Sequence, residues 1–305
     1  LSTVKRRAKN ILKSKSEENS NALKEKEALV LKSIARNEWK EALEILKTTF
    51  DLPPKQSFRK HTFESLLKKL GLNHKGKECL LLLEVMKQKG IEVSAFSYES
   101  ILGSFSKSYC AENSVQIFEE MKRFNIKPNL LCFNFIISTC GRANQKDLVQ
   151  KYYAMMKEEK IVPNLISYST ALGALGRVGG YKLAESIIRE MRLKMIQPDL
   201  KCFNSLIFTY ACDGKWELAR KTLRQMYLLG IEPNSVSYFA AIEACRKQNN
   251  WQESLNLIDD MKKRKIVPSV ECYRTVSQIC KSSGKLNHAE DMLKFASKLR
   301  ESKGI

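Results

Sequence analysis

Side chains able to bind metal or perform catalysis are present in this chain, but their spacing works against both. The three histidines, His61, His74 and His288, have no second histidine or cysteine at ligand spacing. Nine cysteines occur and no two form CxxC, so a zinc site is not expected. Cys132, Cys202 and Cys272 instead stand 70 residues apart, and Cys140 and Cys280 share another phase. That recurrence suits small buried fillers inside helices and a reducing compartment. Adjacent carboxylates such as Asp259 and Asp260 read as solvated helix-surface charges rather than a metal site. There is no P-loop, no GxSxG, no HExxH and no H-x-E partnered with CxxC. No catalytic residue, metal or cofactor is therefore expected. Charge is the stronger signal. Lys and Arg number 53 against 33 Asp and Glu, a formal net charge of +20. Such an excess attracts polyanions, nucleic acid or acidic lipid, unless it only solubilises the surface.

The elements that must position these charges follow from composition and period. With 305 residues, 43% of them hydrophobic, the chain has ample apolar surface to bury and is not wholly disordered. Its densest apolar run, Cys79 to Leu83, ends at Glu84, far short of the ~20 residues a membrane helix requires. Self-comparison then organises the whole. Proline recurs at 128, 163, 198, 233 and 268, always 35 residues apart. An aromatic recurs at the same step at Phe63, Tyr98, Phe133, Tyr168, Phe203, Tyr238 and Tyr273. Methionine does so from Met86 to Met261, and isoleucine from Ile91 to Ile266. Four registers without a slip identify a solenoid.

Each unit reads as two helices. LISYSTALGALGR, from Leu165, has apolar residues at three- and four-residue spacing and is broken by Gly179 and Gly180. YKLAESIIREMRLK follows, with Leu183, Ala184, Ile187, Ile188 and Met191 on one face. Ala184, Ala219 and Ala289 share a phase where a small side chain lets paired helices approach. The QPD and EPN segments end the unit, because proline cannot continue a helix. A single hairpin cannot bury its apolar face, so neighbours must stack into one core, with the isoleucine filling the gap to the next unit. Units are expected to begin at Lys60, Ala95, Leu130, Leu165, Leu200, Ser235 and Val270, giving seven repeats over 60–305. A degenerate repeat is expected over 23–59, where NEWKEALEILKTTF matches a second helix with Ala42 in the small place. Residues 1–22, with six basic and two acidic residues, form a basic N-terminal extension.

This pattern, clearest in LISYSTALGALGRVGGYKLAESIIREMRLKMIQPD over Leu165–Asp199, resembles the 35-residue class of the pentatricopeptide repeat family. The resemblance covers about residues 23–305. It implies an all-α fold, a right-handed α-solenoid superhelix of helix-turn-helix repeats, whose first helices line a concave surface. It also implies binding of single-stranded RNA in a plastid or mitochondrion, plastid placed first, at one base per repeat. Leu1 in place of Met is compatible with removal of an organelle-targeting segment.

In that family a base is clamped between apolar residues of adjacent repeats. Its edge meets two polar side chains, one after the first-helix aromatic and one after the terminal proline. By resemblance, Asn134 with Asn164 implies a pyrimidine, Ser169 with Asp199 implies guanine, and Asn204 with Asn234 implies a pyrimidine again. The clamping residues implied are Leu131, Ile166, Lys201 and Val236; the lysine departs from the apolar pattern, though its stem can cover a base. Lys107, Arg142, Arg177 and Lys247 share a phase near the end of the first helix and are implied phosphate contacts. The other units depart from the pattern. Glu64, Glu99, Phe239 and Arg274 occupy the first base-reading place, and His61 and Glu271 hold clamping places.

Two functions follow. One is an organellar RNA-binding protein that supports the stability, processing or translation of an RNA. The other is a scaffold subunit of a large organellar assembly, a ribosome or transcription complex, using the solenoid for protein contacts. No enzyme is expected, since the family's enzymes carry further domains and the last repeat here runs to Gly304.

Overall fold

The computed structural model describes residues 21–49, 58–107, 109 and 111–302. These hold sixteen helices and no strand: α1 (21–35), α2 (Trp39–Lys47), α3 (Lys60–Leu72), α4 (Gly76–Gln88), α5 (Ala95–Phe105), α6 (Glu112–Arg123), α7 (Leu130–Arg142), α8 (Lys146–Glu158), α9 (Leu165–Val178), α10 (Tyr181–Leu193), α11 (Leu200–Asp213), α12 (Trp216–Leu228), α13 (Ser235–Arg246), α14 (Trp251–Lys263), α15 (Val270–Ser282) and α16 (Leu286–Ser302). Residues 21 and 22, assigned above to the basic extension, are already helical in α1. The remainder of that extension, residues 50–57 of the expected degenerate repeat and Gly304 lie outside the described residues.

The helices are arranged as an all-α array of hairpins in two compact units, Leu1–Thr139 and Cys140–Ile305. In the first unit α3 packs on α5, and each of these on its own following helix. In the second, α9, α11, α13 and α15 pack successively, with α10, α12, α14 and α16 as their second helices. The aromatic register is the core of every hairpin: Phe63, Tyr98, Phe133, Tyr168, Phe203 and Tyr238 are all at most 1% exposed. Ala42, Ala184, Ala219 and Ala289 are fully buried, as close helix pairing requires.

The methionine and isoleucine registers have a local cause. The six second helices from α4 to α14 each end in a left-handed residue, Gly90, Asn125, Lys160, Met195, Gly230 or Lys265. The isoleucine after it donates its N–H to the carbonyl of the methionine five residues back, as in Ile91 to Met86 at 2.9 Å and Ile196 to Met191 at 2.9 Å. This is a Schellman ending, in which an apolar pair accompanies the returning hydrogen bond. Isoleucine is thus the half-buried lock of its own helix, and methionine its fully buried partner. Several first helices end in the same way, as with Lys215 N–H on the Tyr210 carbonyl at 2.9 Å beyond the left-handed Gly214.

Successive first helices approach with backbones nearly touching. A Cβ on Gly71 would lie 2.6 Å from the Ser100 carbonyl oxygen, and one on Gly141 would lie 2.5 Å from the Ala174 Cβ. Burial also explains the cysteines: seven of the eight described are buried, and Cys212 is half-buried. Burial pushes the thiols of Cys132 and Cys140 to about 11 and those of Cys79, Cys202 and Cys245 to about 12. A thiol held there is not a nucleophile at neutral pH.

Candidate nucleic-acid interface

The residue after each terminal proline starts the next helix. Asn129 Oδ1 accepts the Cys132 N–H at 3.0 Å, Asn164 Oδ1 the Ser167 N–H at 3.0 Å, and Asp199 Oδ1 the Cys202 N–H at 2.8 Å. Asn234 Oδ1 accepts the Ser237 N–H at 3.1 Å, within a capping box closed by the Ser237 hydroxyl. Helix capping alone accounts for Asn, Asp or Ser at this place. It also decides what these side chains still offer. With Oδ1 committed, Asn164 and Asn234 present amide donors, whereas Asp199 keeps an acceptor oxygen. All three are exposed.

The first base-reading place lies on the preceding helix and converges on the cap. In the first unit, Glu64 Oε1 accepts the Ser94 hydroxyl at 2.5 Å, and Glu99 Oε2 accepts Asn129 Nδ2 at 2.8 Å. In the second, Asn204 Oδ1 accepts the Ser237 hydroxyl at 2.5 Å, and that hydroxyl lies 3.1 Å from Asn234 Oδ1. The reading places Asn204 and Asn234 are thus neighbours, joined through the Ser237 hydroxyl. Their depth is a surprise. Asn134 and Ser169 are buried and Asn204 is half-buried, so these groups are recessed rather than presented. Asn134 Oδ1 is cut off from solvent without a hydrogen-bond partner. A buried acceptor in that state costs about 1–3 kcal/mol until a donor reaches it.

The clamping places form the raised edges. Leu131 is 44% exposed, Ile166 65% and Val236 47%, and Lys201 is exposed as well. Phe96, 40% exposed, belongs to the same row although it was absent from the set inferred above; counting one residue on from Ala95 finds it. Lys68 lies over its ring at 5.9 Å from the centroid. Apolar edges around a polar floor make a slot that fits a flat ring with a hydrogen-bonding rim.

The proposed phosphate contacts differ among themselves. Lys107 is exposed. Arg177 Nη1 donates to the Gly173 carbonyl at 3.2 Å, and Lys247 Nζ donates to the Cys212 carbonyl. Both cations therefore sit at first-helix C-termini, where the helix dipole favours positive charge. Arg142 is half-buried and its Nε has no partner. Among the described residues, no group of three or more His, Cys, Asp or Glu is placed to hold a metal ion. No described helix is long and apolar enough to cross a membrane.

The sequence pattern of the pentatricopeptide repeat domain matches residues 81–143, 142–178, 172–213, 186–246 and 221–283. No curated protein sequence matches the chain. Among solved structures, the pentatricopeptide repeat protein PPR10 from maize superposes with a TM-score of 0.68 at 23% identity. The match covers 90% of this chain and 39% of that one. PPR10 in complex with an 18-nt psaJ RNA element matches with a TM-score of 0.55 at 16% identity, over 86% of this chain and 43% of that one. The chain thus spans about two-fifths of the length of these PPR10 structures. The recurrent matches over 81–283 settle the family: the chain belongs to the pentatricopeptide repeat proteins.

Proposed function

We propose that this chain binds single-stranded RNA, one base per repeat, along the slots built by its first helices. The observation that carries the reading is the alternation of exposed apolar residues with recessed polar ones at a single phase. Ile166 and Val236 rise beside Ser169 and Asn204 in the second unit, as Phe96 and Leu131 rise beside Glu99 and Asn134 in the first. A stacked base needs the first kind of residue and its edge needs the second. The net charge of +20 supplies attraction to phosphate. PPR10, of the same family, has been captured with an RNA element, which supports the assignment.

The core selected would be pyrimidine–G–pyrimidine, 5′ to 3′ along the chain. The donors of Asn164 and Asn234 suit carbonyl acceptors on a pyrimidine, and the free oxygen of Asp199 suits the N–H donors of guanine. In this reading the protein acts without catalysis, in a plastid or mitochondrion, by protecting or remodelling its RNA. The test is the double variant Ser169→Asn with Asp199→Asn, measured by fluorescence anisotropy against RNAs that differ only at the middle base. Preference should move from guanine to a pyrimidine by about tenfold, the value of one good edge contact. Unchanged preference would refute base reading by this pair.

A scaffold role has its own support. Leu193, Met195 and Leu228 are among the most exposed apolar residues, and all lie at or just beyond the ends of α10 and α12. Large apolar side chains exposed at helix ends are available to a protein partner. Co-purification of one stoichiometric complex after nuclease treatment would favour that reading.

A further inference from the structure

In the Ser235 repeat the place that carries Asn or Ser in the three repeats before it carries Phe239. No hydrogen bond to a base edge is possible from that ring. The second reading place, Ser269, is committed too: its hydroxyl accepts the Cys272 N–H at 3.2 Å and caps α15. What the repeat offers instead is a groove of about 460 Å³ bounded by α9, α11 and α13, whose lining includes Arg177, Phe208, Phe239, Glu243, Arg246 and Lys247. The Phe208 and Phe239 rings stand 6.3 Å apart at 63°, edge to face, and both are half-buried. Three cations border them. Arg246 Nε reaches Glu243 at 3.1 Å and Lys247 Nζ reaches the Cys212 carbonyl. The Arg246 and Lys247 heads each carry more N–H donors than those bonds use.

We propose that this groove is a sequence-indifferent nucleotide site, adding a stacked anchor on the 3′ side of the selected core. The base lies on the Phe239 ring, since every base has a π-face, and its phosphate meets Arg246, Lys247 and Arg177. The site rests on the RNA-binding reading, but it predicts something that edge reading does not. It holds any base and needs one.

The experiment uses the whole chain and a short RNA with one pyrimidine–G–pyrimidine core, followed by each of the four bases in turn or by an abasic nucleotide. The four bases should bind alike, and the abasic RNA about tenfold more weakly, the effect of losing one stacked base. In Phe239→Ala that abasic penalty should vanish, and in Phe239→Leu, which keeps apolar volume for the fold, it should shrink. Equal binding of the abasic and intact RNAs by the unaltered protein would overturn the site, as would a strong preference for one base there. Loss of selectivity at the core with the abasic penalty intact would defeat edge reading and leave the stacking site standing.

Discussion

Asp199 and Asn234 do the same structural task with different residual chemistry. Each gives Oδ1 to the N–H that starts a helix, Cys202 in one case and Ser237 in the other. The cap thereby fixes which atom is left for a ligand, an oxygen on Asp199 and an amide nitrogen on Asn234. Stability and selectivity should separate at this position. Asp199→Asn keeps the cap and should unfold in urea within about 0.5 kcal/mol of the parent, while Asp199→Ala should lose about 1 kcal/mol. If both variants lose stability equally, the cap is not what Asp199 supplies. The polar identity of Asn164, Asp199 and Asn234 was plain in the sequence, but its double use was not, because nothing in the spacing shows which oxygen is committed. The recess of Asn134 and Ser169 was equally illegible. Depth depends on how the hairpins pack, which spacing alone does not state.

At the scale of helices, every second repeat carries a half-buried polar clasp. Tyr98 donates to Glu120 at 2.7 Å, Tyr168 to Glu190 at 3.0 Å and Tyr238 to Asp260 at 2.6 Å. Lys87 and Lys157, from the preceding hairpins, pair with Glu120 and Glu190 at 2.6 Å each. The repeats between them carry Phe63, Phe133 and Phe203 in the tyrosine place, with Val85, Met155 and Gln225 in the carboxylate place. The 70-residue cysteine step belongs to this alternation of two repeat types. Burial alone would raise the Glu190 carboxyl, but hydrogen bonds from Lys157, Lys194 and Tyr168 outweigh it and hold it below its ordinary value of 4.5. A carboxylate so held stabilises the fold above its unfolded value and ceases to as pH falls through the folded one. The urea midpoint should therefore fall more steeply below about pH 4.5 in the parent than in Glu190→Gln. Parallel profiles would show that the clasp contributes nothing through its charge. The clasp escaped the sequence reading because Glu120 and Lys87 look like ordinary surface charges until the hairpins stack. Gly71 and Gly141 escaped it for a related reason: only the packed first helices reveal that a Cβ would collide there.

Across the whole chain, periodicity was the most legible property, because each register answers a local physical need. The aromatic fills the hairpin core, the methionine and isoleucine close the second helix, and the proline precedes the next cap. Family membership follows from the same regularity. What the slots accept is less legible, since reading a base depends on single atoms within otherwise equivalent repeats. The off-pattern residues divide accordingly. Glu64 and Glu99 are tied to Ser94 and Asn129 in the first unit, while Phe239 opens onto a basic groove in the second. The most direct measurement is selection of RNA from a randomised single-stranded pool on the purified protein, followed by sequencing of the bound fraction. The account predicts one enriched core, pyrimidine–G–pyrimidine, followed by a position that must hold a base of any identity. An enriched pool with no preferred base at any position, or no retention of RNA at moderate salt, would contradict it.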